Sequence, residues 1–251
     1  MRKSKTLARI RNKQTVRMCA MGHFMPFFVA QAAHFGFDCI WLDMEHRNFS
    51  DREIQTLLAH SHLHDIDIMV RPATTEKTRL YRYLEDGAAG LMIPHINTGE
   101  KTRALVDAVK FPPVGDRGLD GAGIDAHYYL GDVDQYINHA RHETFLVVQV
   151  ETPQAVQNID DITSTKGLDG IFIGPSDLGL RLRQDPSNMT LEEAYARVAA
   201  SCKKNGVAWG CPTSTPENLK QRQKEGGQLL NHGGDFGAIM NMLKTCIAAF
   251  E

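Results

Sequence analysis

The sequence predicts an α/β protein folded as a (β/α)8 TIM barrel, and three observations predict it. Eight short runs rich in Val, Ile and Leu alternate with segments of helical period, the pattern of parallel strands joined by crossover helices. The runs are nearly continuous in apolar character, as in strands buried on both faces. The length of 251 residues matches the roughly 250 of one such barrel. Eight strands favour closure over an open doubly wound sheet.

Taken in order, the strands are expected at Val16–Met21, Cys39–Glu45, Asp67–Pro72, Gly90–His95, Thr144–Glu151, Gly170–Pro175, Val207–Pro212 and Gln228–Gly233. Helices are expected between them at 51–64, 100–111 and 191–206, the last with Thr190 as N-cap and Gly206 as stop. The segment from Phe111 to Glu143 breaks the rhythm. Its many turn formers and weak period suggest a long excursion, and such loops are usually functional. With no repeat, low-complexity tract or linker, residues 1–251 are expected to form a single catalytic domain.

Composition narrows the class. The chain is 42% hydrophobic and 23% charged, with a formal net charge of −2, so it offers no basic footprint for nucleic acid. No apolar run reaches the roughly 18 residues of a membrane span. The basic N-terminal stretch MRKSKTLARIRNKQ is not followed by the apolar core of a secretory signal. Five scattered cysteines without a CxxC pair read as reduced thiols. A cytoplasmic protein acting on small molecules, with neither nucleic acid nor membrane as partner, is the expectation.

In a barrel, the site sits where the strands end. Four apolar runs end in polar groups: Asp43-Met44-Glu45-His46, Arg71-Pro72, Gln149-Val150-Glu151 and Gly174-Pro175-Ser176-Asp177. Any one of them is as well explained by a helix cap or by solvent. Strand ends around one rim, however, all face one cavity. Glu151 and Asp177 form the best candidate metal pair, because hard divalent ions often take only one or two protein carboxylates and keep other positions open. Gln149 lies two residues from Glu151 and shares its face of the strand. His46 could move protons near neutral pH, and Arg71 offers a donor fork for a carboxylate or enolate oxygen. The cluster His60, His62 and His64 reads as a solvated helix end. His232 is ambiguous, and Gly233-Gly234-Asp235 reads either as a backbone-donor loop for an anion or as a tight turn.

At these residues the chain resembles the HpcH/HpaI aldolases, metal-dependent class II pyruvate aldolases of the 4-hydroxy-2-oxoheptanedioate and 2-dehydro-3-deoxy-sugar-acid type. The matching stretches are FGFDCIWLDMEH (35–46), VRP (70–72), GAAGLMIP (87–94), FPPVGDRG (111–118), VVQVET (147–152) and GLDGIFIGPSDL (167–178), in family order from about residue 15 onward. The resemblance implies a phosphoenolpyruvate/pyruvate-type barrel whose last helix is exchanged between subunits of a homo-hexamer, a dimer of trimers. It implies that Glu151 and Asp177 hold a divalent metal (Mg2+ or Mn2+, with Co2+ or Zn2+ as further candidates). It gives His46 the acid/base role and sets Arg71 on the pyruvyl keto oxygen with Gln149 nearby. Backbone N–H groups around Gly174, Pro175, Ser176 and Asp177 are implied to hold the carboxylate, and Asp43 to serve a neighbouring subunit's site.

The implied reaction is reversible aldol cleavage of a 4-hydroxy-2-oxo acid to pyruvate and an aldehyde through the pyruvate enolate. The alternative is a decarboxylase or another lyase of an oxaloacetate-like acid at the same site. No lysine ends any of these strands, which argues against Schiff-base chemistry. LDGAGIDAHYY (119–129), with Asp120, Asp125, His127 and Tyr128, and WGCPTST (209–215) depart from the family pattern. Both departures bear on the aldehyde half and leave the pyruvate half untouched.

Overall fold

The computed structural model describes residues 2–184, 187 and 189–250. Its strands are β1 (Val16–Met21), β2 (Cys39–Asp43), β3 (Asp67–Arg71), β4 (Gly90–Ile93), β5 (Phe145–Val150), β6 (Gly170–Ile173), β7 (Ala208–Thr213) and β8 (Leu229–Gly234). They close a parallel barrel in chain order. β1 and β8 make the seam, where the register shifts between Met18 and Ala20.

Large side chains fill the interior: Met18, Met69, Met92, Phe145, Phe172 and Leu229 pack together with Leu7. Leu7 comes from the N-terminal helix Lys5–Arg11, which closes the end of the barrel where the strands begin. Buried Asp67 anchors that helix. It accepts from Ser4 Oγ at 2.7 Å and from the Thr6 N–H at 2.8 Å. A second apolar layer, with Val29, Leu57, Leu80, Val106, Ile162 and Val198, lies between strands and outer helices. The helix Leu191–Asn205 starts with a capping box of Thr190 and Glu193 and stops at Gly206 (φ +68°), as expected. No helix among the described residues is long and apolar enough to cross a membrane.

Several expectations need correction. The strands expected to reach Glu45, His95, Glu151 and Pro175 end at Asp43, Ile93, Val150 and Ile173. Polar groups beyond these points turn towards one another instead of continuing the ladder, and Pro175 opens a helix. The excursion Phe111–Glu143 ends in a regular helix, Val133–Glu143, capped by Asp132. Only Tyr136 and Ala140 of that helix are buried, too few to give a visible period.

Within one chain the excursion touches both ends of the helix Lys77–Glu85: Asp116 accepts from Lys77 Nζ at 2.8 Å. A side chain at Gly123 would meet the Glu85 carbonyl, at the end of the helix Lys77–Glu85 that feeds into β4. Asp125 accepts there from Tyr136 Oη (2.6 Å) and from Arg117 Nη2 (3.0 Å). His62 is not solvated: its Nε2 lies 3.0 Å from the Gly87 carbonyl, and burial lowers its pKa.

Candidate active site

The strand ends assemble a ring of charged and polar side chains. Asp43, the last residue of β2, accepts through Oδ1 from Arg71 Nε (3.0 Å) and from the N–H groups of Glu45 (3.0 Å) and His46 (3.3 Å). Arg71 Nη2 lies 2.8 Å from the same oxygen. Arg71 Nη1 donates to Gln149 Oε1 at 3.2 Å, and Gln149 Nε2 donates to Glu151 Oε2 at 2.8 Å. Glu151 Oε1 accepts from the His95 N–H at 2.8 Å and lies 2.7 Å from His95 Nδ1. His95 Nε2 is 2.9 Å from Glu45 Oε1. Glu45 Oε2, 3.0 Å from Arg71 Nη1, completes the circuit.

Burial and packing hold these groups still. Arg71, Gln149 and Glu151 are buried. The Arg71 guanidinium stacks 4.6 Å from the centre of the Trp41 ring, and Trp41 meets Phe172 edge-on. Stacking suits a planar guanidinium and leaves its edge to the carboxylates. Gly174 is required where it stands, since a Cβ there would lie 2.7 Å from Gln149 Nε2 and 3.0 Å from Glu151 Oε2.

Gly174 is the N-cap of the helix Pro175–Leu182, with Pro175 at its first position. The positive end of that helix therefore faces the ring, with Ser176 exposed and Pro175 and Asp177 half-buried. Asp177 connects to Glu151 through Arg181, whose Nη1 donates to Asp177 Oδ1 (2.7 Å) and to the Glu151 carbonyl (3.2 Å). His46 stands at the rim, its imidazole more than half exposed and its Nε2 3.6 Å from Glu45 Oε2.

Burial lifts the Glu151 carboxyl above the usual range. His95 opposes the lift, while the charges of Glu45 and Asp177 add to it. Glu45 Oε2 is buried and outside hydrogen-bond geometry with any neighbour. Among the described residues, one group of three metal-ligating side chains lies close enough to share an ion: ligand atoms of Glu45, His95 and Glu151 within 4.8 Å of one another. Two converging carboxylates with an imidazole beside them fit a divalent cation. Beside Glu45 and His95, a cavity of about 860 Å³ runs over Pro94, Ile96 and Leu105 to Lys101, room enough for a small organic acid.

The HpcH/HpaI aldolase/citrate lyase family profile matches residues 18–241. The chain belongs to this family. A hydroxypyruvate/pyruvate aldolase of Sagittula stellata is 33% identical over 197 residues, 78% of this chain and 77% of that protein. A 2-keto-3-deoxy-L-rhamnonate aldolase of Salmonella paratyphi B is 34% identical over 224 residues, 88% and 83% of the two chains. The crystal structure of an HpcH/HpaI aldolase from Desulfitobacterium hafniense superposes with a TM-score of 0.90 at 26% identity, covering 97% and 95%.

Of the residues singled out from sequence, Asp43, Arg71, Gln149, Glu151 and Gly174 thus meet in one cluster, with Asp177 tied to it through Arg181. Sequence reasoning missed His95 as a site residue and passed over Glu45. The available signal was the same for both, a polar residue closing an apolar run, in GLMIPH as in CIWLDME. His232 is no part of the ring; its Nδ1 lies 3.0 Å from Thr213 Oγ1. The Gly233-Gly234-Asp235 loop is a cap, not an open anion cradle: Asp235 Oδ2 accepts from the N–H groups of Gly22 and His23.

Proposed function

We propose that the chain is a divalent-metal-dependent carbon–carbon lyase that cleaves a 4-hydroxy-2-oxo acid reversibly to pyruvate and an aldehyde. The observation that carries this reading is the relay Arg71–Gln149–Glu151. It sets a buried guanidinium one amide away from a buried carboxylate, whose pKa burial pushes above the usual range. An oxyanion next to Arg71 and a cation next to Glu151 together describe the needs of a 2-oxo acid becoming an enolate.

When bound at Glu151 and Asp177, a divalent ion would supply Lewis-acid polarisation of the substrate's keto group. The residues do the rest. Arg71 would hold the keto oxygen and stabilise the charge that gathers there, with Gln149 fixing the guanidinium. The first turn of the helix Pro175–Leu182 would take the carboxylate at its N–H groups. His46, exposed at the rim, would accept the proton of the 4-hydroxyl as the C3–C4 bond breaks. The bonding electrons pass into the enolate, the aldehyde departs, and the same proton returns to C3 to give the pyruvate methyl.

The assembly belongs to the same proposal. The helix Asp235–Ile247 exposes Phe236, Met242, Leu243 and Ile247, each more than half exposed. An apolar face of this kind fits a helix exchanged within a homo-hexamer. Asp120, Asp125, His127 and Tyr128, remote from the mouth of their own barrel, would meet an aldehyde only across such an interface.

The test is pyruvate release from 4-hydroxy-2-oxo acids, with oxaloacetate in parallel. Release should require Mg2+, Mn2+ or Co2+ and vanish in Glu151→Ala; release that survives exhaustive chelation removes the reading. Faster pyruvate formation from oxaloacetate than from every hydroxy acid would favour a decarboxylase. A barrel that only binds would leave the pyruvate methyl unexchanged in deuterated water.

A further inference from the structure

The mouth of the barrel is lopsided. Asp43, Arg71, Gln149 and Glu151 belong to β2, β3 and β5 or follow them directly, whereas β7, β8 and β1 turn uncharged groups inward. Along β8, Leu229 packs in the interior layer and Leu230 in the outer one, so Asn231 faces inward again. The same alternation turns Pro212 of β7 and Ala20 of β1 inward, and both are half-buried. Pro212 is the partner of Asn231 across the ladder. Asn231 itself is 7% exposed. Its Nδ2 makes a long bond of 3.4 Å to the Gly233 carbonyl, and among the described residues its Oδ1 has no hydrogen-bond partner. Directly beyond it β8 bulges, since Asn231 to Gly234 runs beside Met18 to Ala20 of β1, with Gly233 at φ +84°. Bulges of this kind re-aim side chains next to active sites. A buried amide oxygen without a donor costs stability, and the small neighbours Pro212 and Ala20 leave it approachable from the mouth.

We propose that Asn231 selects the aldehyde half of the substrate by accepting a hydrogen bond from a hydroxyl on C5, so that the aldehyde released is a 2-hydroxyaldehyde. The inference rests on the lyase reading above and concerns the half of the substrate which that reading leaves open. Arg71 and Glu151 hold the 2-oxo acid end on the charged side of the mouth, so C4 and the carbons beyond it extend towards β7, β8 and β1. Of the inward groups there, Pro212 and Ala20 carry no polar side-chain atom, and Asn231 carries one free acceptor. An acceptor pairs with a donor: a hydroxyl satisfies it, whereas a carboxylate or an alkyl group does not. With the 4-hydroxyl given to His46, the next carbon along is C5. A site built to bond a hydroxyl rejects the analogue without it, because the buried oxygen is then left unpaired.

The test is condensation of pyruvate with glycolaldehyde or with propanal, which carries a methyl in place of the hydroxyl, by the full chain supplied with Mn2+. The wild type should favour glycolaldehyde at least about tenfold in kcat/KM. Asn231→Leu, close in shape but without the amide, should bring the ratio near unity by lowering the rate with glycolaldehyde. Asn231→Thr keeps an oxygen and should recover part of the preference. If the leucine variant does not fold, Asn231→Ala carries the same expectation. A wild-type ratio near one, or a ratio unchanged in Asn231→Leu, overturns the inference. Equal losses with both aldehydes mark a structural role and overturn it too. Exchange of the pyruvate methyl in deuterated water needs no aldehyde and separates the two levels. Exchange by the wild type without a preference between the aldehydes defeats this inference alone; no exchange defeats the lyase reading, and this inference with it.

Discussion

Gly174 lies so close to Gln149 that a methyl group on its α-carbon would sit 2.7 Å from Gln149 Nε2. The glycine of the GPSD stretch is therefore part of the site's geometry as well as the start of a helix. Gly174→Ala should leave the barrel folded, because the residue is extended (φ −91°), yet push Gln149 and Glu151 apart. We expect a loss of at least about tenfold in kcat/KM for pyruvate release, since small misplacements at a reacting centre are costly. Unchanged circular dichroism beside wild-type kinetics would contradict it.

Arg71 donates to Asp43 and Gln149 and lies against Glu45 and Trp41. A lysine keeps the charge but cannot serve these directions together. Arg71→Lys should lower kcat by about 100-fold or more, the scale of losing one oxyanion donor. Deuterium exchange at the pyruvate methyl should fall in parallel, which places the loss at enolate formation rather than at aldehyde binding.

Asp38 provides a pH test of stability. Burial pushes its carboxyl up, but the hydrogen bonds from Arg17 and the charges of Arg17 and Arg9 outweigh this, and its pKa lies below the usual range. A carboxylate with a lowered folded-state pKa adds stability above its unfolded pKa of about 4 and loses it as pH falls through the folded value. Asp38→Asn should cost about 1–3 kcal/mol at neutral pH. It should also flatten the decline of Tm below about pH 4, as differential scanning calorimetry would show.

The exposed helix Asp235–Ile247 makes assembly measurable. Leu243→Asp with Ile247→Asp places two charges on the apolar face and should convert the proposed hexamer into smaller species in light scattering. A wild-type chain that runs as a monomer at all concentrations would rule out the exchanged helix.

The strands were legible because burial on both faces writes itself as runs such as FLVVQV and GIFI. Glu151, Arg71 and Asp43 were legible only together, because polar groups closing several such runs around one rim face a common cavity. His95 closes an apolar run in the same way, but what sets it apart, a left-handed backbone and contacts to carboxylates 50 and 56 residues away, leaves no further mark in the sequence. The helix Val133–Glu143 was hidden for a related reason: two buried residues, Tyr136 and Ala140, are one turn apart and give almost no period.

The left-handed backbone at position 95 also restricts how this protein can drift. Replacements there that avoid backbone strain are chiefly Asn, Asp and Gly, and two of these carry an oxygen that can itself bind a cation. A substitution surviving at this position would therefore keep the path of the chain out of β4 while giving up the imidazole that links Glu45 to Glu151.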